Sequence, residues 1–301
     1  MKKIDLHMHS RYSDDGEFSP TELVRQCVEA GIGMMAVADH NTVRGCMEAI
    51  KAAKEAGICC IPAIEIDCVW NGMNFHVLGY GIDSLSEDFI QIENNIRTQR
   101  EQASQKMLQK TRELGFEVSE EEMEQLSAGS YWEKCWTGEM FAEVLLSKEA
   151  YQEHPLLAPY RSGGERSDNP YVNFYWDYYS QGKPCYVEVH FPEMKQVIDI
   201  IHKNGGDAVL AHPGVNLKGK ENLLEKIAAL GIDGVEGYSS YHTKEQSIGF
   251  CKEAKRLGLA ITCGSDYHGK TKPSVHLAKT GADEKEMKRI WEKVFDTHGK
   301  V

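Results

Sequence analysis

Short apolar runs alternate along this chain with longer stretches of helical period. Lys3–Met8, Met34–Ala38, Ile58–Ile64, Cys185–Val189, Ala208–Ala211, Gly234–Gly237 and Leu259–Cys263 have strand length, and capped helical segments separate most of them. That alternation predicts an α/β fold with parallel strands. Ser19-Pro-Thr-Glu22 supplies an N-cap, a proline at the first helical position and a capping-box glutamate. Phe18 and Leu23 stand at the positions of a hydrophobic staple, and Gly31 closes the helix. Thr243 with Gln246, and Asp283 with Glu286, open two later helices in the same way. Asn71-Gly72 predicts a type I′ hairpin between Ile64–Trp70 and Met73–Tyr80. A two-residue loop there pairs Trp70 with Met73, Asp67 with His76 and Glu65 with Leu78.

The rhythm breaks between about Asp83 and Lys183. Phe89, Ile92, Ile96, Ala103 and Met107 follow a helical period and predict one long helix, and Ser119 with Glu122 caps another. A turn-rich loop, Arg161–Pro170, and an aromatic block, Tyr171–Tyr179, follow. The expected organisation is a barrel domain built from 1–82 and 184–301, with 83–183 as a helical insertion covering one end. At 301 residues the chain is long enough to bury a large core as one such domain.

Polar residues gather where the apolar runs end. Asp5-Leu-His-Met-His9 alternates with period two, which on a strand sets Asp5, His7 and His9 on one face and Leu6 and Met8 on the other. Asp39-His40 closes the second run and Glu65 the third; His212 follows Ala208–Ala211, and Asp266 and His268 follow Gly264-Ser265. Barrel enzymes build their sites at the carboxyl ends of strands. The hairpin register makes Glu65 and His76 diagonal neighbours on one face. Asp67 shares that face as a rival ligand, with a salt-bridged surface position as its other reading.

Composition narrows the chemistry. Nine cysteines without a C-x-x-C pair argue for reduced thiols in a cytoplasm. There is no apolar run long enough to span a membrane and no signal-peptide core. The formal net charge of −12 opposes broad contact with a nucleic-acid backbone, so no nucleic-acid polymer is expected as partner. Bound cations still allow a phosphorylated substrate. Imidazole and carboxylate donors without nearby thiolate suit manganese, iron or zinc. A carboxylate bridging two ions lets a shared water ionise near neutral pH and attack phosphorus in line, while the ions stabilise the entering and leaving oxygens.

These motifs, with Asp15-Gly16, Ala38-Asp-His-Asn41, Ala211-His-Pro-Gly214 and Gly264-Ser-Asp-Tyr-His268, resemble the PHP family, named for polymerase and histidinol phosphatase, in the amidohydrolase superfamily. The resemblance runs over nearly the whole chain in the family's order. It implies a distorted (β/α)7, TIM-like barrel and two or three divalent ions. Carried over residue by residue, it implies one ion on His7, His9, Glu65 and Asp266. A second falls to Glu65, His76 and His212, with Glu65 bridging, and a third to Asp15, His40 and His268. Asp14 competes with Asp15, which is preferred because it precedes the turn glycine. Glu65, Asp266 and His268 are the catalytic candidates.

The implied activity is hydrolysis of a phosphoester in a small phosphorylated metabolite, a nucleotide bisphosphate or a sugar or cyclic phosphate. A DNA exonuclease-type module and a non-catalytic metal-binding interaction module are the alternatives. Arg161, Lys183, His190 and His242 are candidate substrate contacts; Arg161 and Lys183 also read as exposed loop residues, and His242 as a helix start. Gly138-Glu-Met-Phe141 departs from the family pattern, lacking the basic and histidine residues common there.

Overall fold

The structure, a computed structural model, describes residues 2–298, with side chains through Lys293. Strands β1 (Lys3–Met8), β2 (Ile32–Val37) and β3 (Cys59–Cys60) form a parallel sheet. Strands β4 (Ala63–Trp70), β5 (Met73–Tyr80), β6 (Asp207–Leu210), β7 (Gly234–Ser239) and β8 (Ala260–Gly264) form a second sheet in that order. The predicted run Ile58–Ile64 is divided between the two sheets. Pro62 has no N–H to give a ladder, so β3 stops before it and β4 starts after it.

The hairpin forms in the predicted register, with Trp70 opposite Met73, Asp67 opposite His76 and Glu65 opposite Leu78. Its turn holds Asn71 at φ 52° and Gly72 at φ 71°, the left-handed pair that a type I′ turn requires. It makes β5 antiparallel to β4 and β6 in an otherwise parallel arrangement. Backbone hydrogen bonds join the two sheets at both seams. The His9 N–H donates to the Tyr267 carbonyl (2.9 Å) and the Asp266 N–H to that of His7 (2.8 Å). Across the other seam the Asn41 N–H donates to the Glu65 carbonyl at 2.7 Å.

One predicted strand is absent. Cys185–Val189 is irregular. The Cys185 N–H donates to the Tyr178 carbonyl and the Tyr186 N–H to that of Lys183, which turns the start of the segment away from a ladder, and the backbone of His190, just past its end, is held by the side-chain amide of Gln99.

Helices α1 (Pro20–Glu29) and α2 (Cys46–Ala56) cover the first sheet, packing Leu23, Val24, Cys27, Ala49 and Ala53 on Met8, Met35 and Val37. The predicted cap of α1 is realised in full, with Ser19 and Glu22 bonding each other's backbone. Between the hairpin and β6 lie α3 (Glu87–Glu113), α4 (Glu120–Ser127), α5 (Gly138–Ser147) and α6 (Pro170–Tyr178). The first half of α3 buries Phe89, Ile92 and Ile96 against the second sheet. Its second half places Leu108 in a separate core with Phe116, Met123, Phe141, Leu145 and Phe174. Each such side chain stabilises the fold by about 1.5–3 kcal/mol through burial, so Phe141→Ala alone would loosen this cluster.

Helices α7 (Met194–Lys203), α8 (Pro213–Asn216), α9 (Leu224–Ala228), α10 (Lys244–Leu257) and α11 (Glu284–His298) complete the fold. Ile4, Leu6, Met34, Ala36, Leu78, Val209 and Ala211 form an apolar plug between the sheets, below the carboxyl ends of the strands. Among the described residues no helix is long and apolar enough to cross a membrane, and all nine cysteines are free thiols.

Candidate metal centre

Above the plug, the polar ends of the strands converge. His7 and His9 project from the end of β1 and are fully buried, as are Glu65 and His268. The Nε2 atoms of His7 and His9 lie 3.1 Å apart. Both also face Glu65 Oε2 (3.1 and 3.2 Å) and Asp266 Oδ1 (3.2 and 3.0 Å). Edges of this length belong to a tetrahedron whose centre lies about 2 Å from every corner, the bond length of nitrogen and oxygen ligands to zinc.

The other oxygen of Glu65 turns the opposite way. Glu65 Oε1 lies 3.0 Å from His76 Nδ1 and 3.0 Å from His212 Nε2. A third group joins His9, Asp15, His40 and His268, with Asp15 Oδ2 3.1 Å from His268 Nε2. Asp14 instead pairs with Arg100, which leaves Asp15 as the acid of this group. Asp67, read as a rival ligand or a salt-bridged surface acid, is buried; it groups with His40 and His76, 3.0 Å from His76 Nε2, and pairs with Arg100 at 3.1 Å. The hairpin turns its residue 67 inward beneath α3, which removes it from solvent.

Several buried atoms here have no hydrogen bond: Asp15 Oδ1, His40 Nδ1, Asp266 Oδ1 and His268 Nε2. Buried polar atoms are normally satisfied. Nitrogen and oxygen donors that face one another without bonding fit a set of cations.

The ring nitrogens on the far side are bonded. His7 Nδ1 meets Glu236 Oε1 at 3.1 Å, His9 Nδ1 meets Ser13 Oγ at 2.9 Å, and His212 Nδ1 meets Asn216 Oδ1 at 2.8 Å. Such partners fix the tautomer and aim the other nitrogen at a metal. Two ligands also sit on strained backbone, His212 at φ 24° and Asp266 at φ 58°. Non-glycine residues in this region cost of order 1–3 kcal/mol and cluster at functional sites.

Charge follows the same geometry. Burial opposes ionisation of Glu65, but His7, His76 and His40 outweigh it and hold its carboxyl well below the usual range. Burial likewise opposes the charge on Asp266, and Lys272, His268 and His7 overcome it. Burial disfavours protonated His9 and His76, yet the surrounding carboxylates raise them to about 9 and about 10. Burial dominates at His40, which falls to about 4. In the metal-free chain, protons stand where cations would neutralise these acids.

Residues 5–158, half of the chain, match the PHP domain. The chain belongs to the PHP domain family. It is 30% identical to a 5′-3′ exoribonuclease of Haemophilus influenzae, over 89% of this chain and 90% of that protein. It is 29% identical to a 3′,5′-nucleoside bisphosphate phosphatase of Chromobacterium violaceum, over 89% and 88%. A phosphoribosyl 1,2-cyclic phosphate 1,2-diphosphodiesterase of Eggerthella lenta is 26% identical over 88% and 94%. Among solved structures, a Bifidobacterium adolescentis protein described as a metal-dependent phosphoesterase superposes with a TM-score of 0.77 at 25% identity, covering 97% of this chain and 96% of that one. The exoribonuclease among these relatives leaves the expectation of no nucleic-acid polymer without support.

The PHP chain has a cavity of about 430 Å³ over the cluster, within the range of small-molecule sites. Its wall carries Trp136, Tyr175, Trp176, Tyr179 and Tyr186 beside His40, His76, His212 and Asp266. A second cavity of about 680 Å³ lies beyond Asp14, Asp15, Thr137 and Glu139, which line both.

The four candidate substrate contacts do not line the first cavity. Arg161 donates to the Leu146 and Tyr151 carbonyls, while Lys183 and His190 are exposed. His242 Nε2 accepts from the Gly214 N–H. The cations on the wall are Arg100 and Lys272. Sequence reasoning missed both, and also Glu236 and Tyr241. Glu236 carried a signal, as a lone acid in the middle of the apolar run Gly234–Gly237. Lys272, in a loop after the last strand, carried none.

Proposed function

We propose that this PHP chain is a metal-dependent phosphoesterase whose substrate is a small phosphorylated metabolite, a nucleotide or a sugar phosphate. The observation that carries this reading is Glu65, which presents one oxygen to His7 and His9 and the other to His76 and His212. His7, His9, Glu65 and Asp266 would hold one divalent ion, Glu65, His76 and His212 a second, and Asp15, His40 and His268 a third. Two or three ions of manganese, iron or zinc fit this donor set. When bound, such ions acidify water and neutralise charge building at phosphorus.

The chain's own groups prepare that site. Glu65 shares its charge between two ligand groups. Tyr241 OH (2.7 Å) and Lys272 Nζ (2.6 Å) both bond Asp266 Oδ2, which keeps Oδ1 turned toward His7 and His9. His268 is held by the Asp266 carbonyl at its Nδ1 (2.8 Å), so its Nε2 faces Asp15. Arg100 and Lys272, on the cavity wall, are the groups placed to meet phosphate oxygens. The backbone bonds at both sheet seams support a distorted (β/α)7 barrel. Within it we read 83–183 as a helical insertion over the site, because Trp136, Glu139 and Tyr175 reach the cavity from there.

A second reading is exoribonuclease action on short RNA. The second cavity favours it, since a diester needs room on both sides of the scissile phosphate. Manganese-loaded protein assayed against nucleoside phosphates, sugar phosphates, cyclic phosphates and short RNA separates the two. Phosphate release from the small monoesters, or ring opening of a cyclic phosphate to its monoester, supports the first reading. Mononucleotide release from RNA, with the small esters left intact, overturns it in favour of the second. No hydrolysis of any member would leave a metal-holding module.

A further inference from the structure

His212 takes the N-cap position of α8, with its backbone at φ 24°. A helix leaves its first N–H groups without partners inside the helix, and the N-cap side chain usually bonds one of them. His212 is not free to do so. Its Nε2 faces Glu65 Oε1 at 3.0 Å and its Nδ1 bonds Asn216 Oδ1 at 2.8 Å. Pro213 has no N–H, so Gly214 is the first residue of α8 with a donor to satisfy.

His242, on the loop between β7 and α10, supplies the acceptor. Its Nε2 takes the Gly214 N–H at 3.0 Å, and its Nδ1 faces the Gly237 carbonyl at 3.3 Å. A carbonyl only accepts, so Nδ1 carries the proton and Nε2 keeps its lone pair. The ring packs on Phe250 of α10, with centroids 5.1 Å apart. It also closes tightly on the helix start, since a Cβ on Gly214 would lie 2.5 Å from His242 Cδ2. Glu236, beside Gly237, accepts the His212 N–H at 2.9 Å. The strained turn is thus tied to β7 on both sides of Pro213, directly by Glu236 and through the His242 ring.

We propose that His242 is a positioning residue: it caps α8 in place of His212 and so holds His212 Nε2 against Glu65 as a ligand of the second ion. This rests on the divalent-ion reading of the site, and it makes His242 a support of the ligand set in place of a substrate contact.

The test uses the full chain, stripped of metal, as wild type, His242→Gln, His242→Asn and His242→Phe. Glutamine can set its Oε1 where the imidazole Nε2 lies and accept from Gly214; asparagine is too short, and phenylalanine has no acceptor. In calorimetric titration with manganese, the Asn and Phe variants should bind one ion about 10–100-fold more weakly and the rest as the wild type does. His242→Gln should restore most of that affinity. Amide hydrogen exchange at Gly214 reads the cap without metal: slow in the wild type and His242→Gln, severalfold faster in the other two. If His242→Phe does not fold, His242→Asn carries the comparison. Manganese binding or Gly214 exchange that ignores residue 242, equal weakening of every ion, or no restoration by His242→Gln overturns the proposal. A wild type that binds no manganese, with Gly214 exchange still set by residue 242, would overturn the ion reading while supporting the cap.

Discussion

His7 Nδ1 lies 3.1 Å from Glu236 Oε1, and both side chains are wholly buried. The second oxygen of Glu236 accepts the His212 N–H at 2.9 Å, so one carboxylate orients ligands from two strands. Glu236→Gln puts an amide N–H₂ against one of those two donors. Loss of such a partner costs about 10–100-fold in metal affinity or activity. Metal titration of the variant should show a loss in that range with the fold retained, and unchanged affinity would remove Glu236 from the account.

Gly264 is the residue on which β8 passes His7. A Cβ there would lie 2.1 Å from His7 Cβ and 2.5 Å from Glu236 Oε1. Neither neighbour can retreat, since one is at the strand's own backbone and the other holds two hydrogen bonds. Gly264→Ala should destabilise the chain by about 1–3 kcal/mol and displace His7 from its ligand position. Chemical denaturation together with metal content checks both parts. A variant of native stability and full metal content would show that the approach is looser than described.

The raised histidines set a pH dependence. His9 and His76 titrate near 9 and 10 when folded without metal, against 6.5 as their ordinary value. A histidine whose folded pKa is raised contributes stability that is complete below the unfolded pKa and is lost as pH rises through the folded one. The metal-free chain therefore weakens as pH climbs from about 6.5 toward 10. Ion binding requires the neutral rings and becomes more favourable across the same window. Melting curves with and without manganese should diverge from pH 7 to pH 9, and curves that converge would reverse this sign.

Glu65→Gln should abolish turnover while leaving the fold largely intact, because it removes the charge shared between the two histidine groups. A fall in kcat of more than about a hundredfold is expected, alongside a circular dichroism spectrum like that of the wild type. Rates near those of the wild type would count heavily against a bridging role.

Much of this arrangement was legible in the sequence where local rules act alone. The Asn71-Gly72 turn fixed the hairpin register, and with it the approach of Glu65 to His76. Caps at Ser19, Ser119 and Thr243 marked helix starts that the structure keeps. Most of the metal candidates were visible because they follow an apolar run, whereas His76 came from the hairpin register and Asp15 from its motif with Gly16. Contacts made across the fold left no such trace. Arg100 meets Asp67 only because a long helix crosses the site, and Lys272 meets Asp266 only through the path of a loop. Cys185–Val189 had strand composition, but the Cys185 N–H is spent on the Tyr178 carbonyl and the Tyr186 N–H on that of Lys183. Asp67 looked like a surface acid because its burial depends on that same helix.

Elemental analysis reads whether these imidazoles and carboxylates hold divalent ions. Protein purified without chelator, resupplied with manganese, zinc or iron and then desalted, should retain at least two ions per chain, and Glu65→Gln should retain fewer. Wild-type protein that keeps no bound transition metal under those conditions would contradict the account.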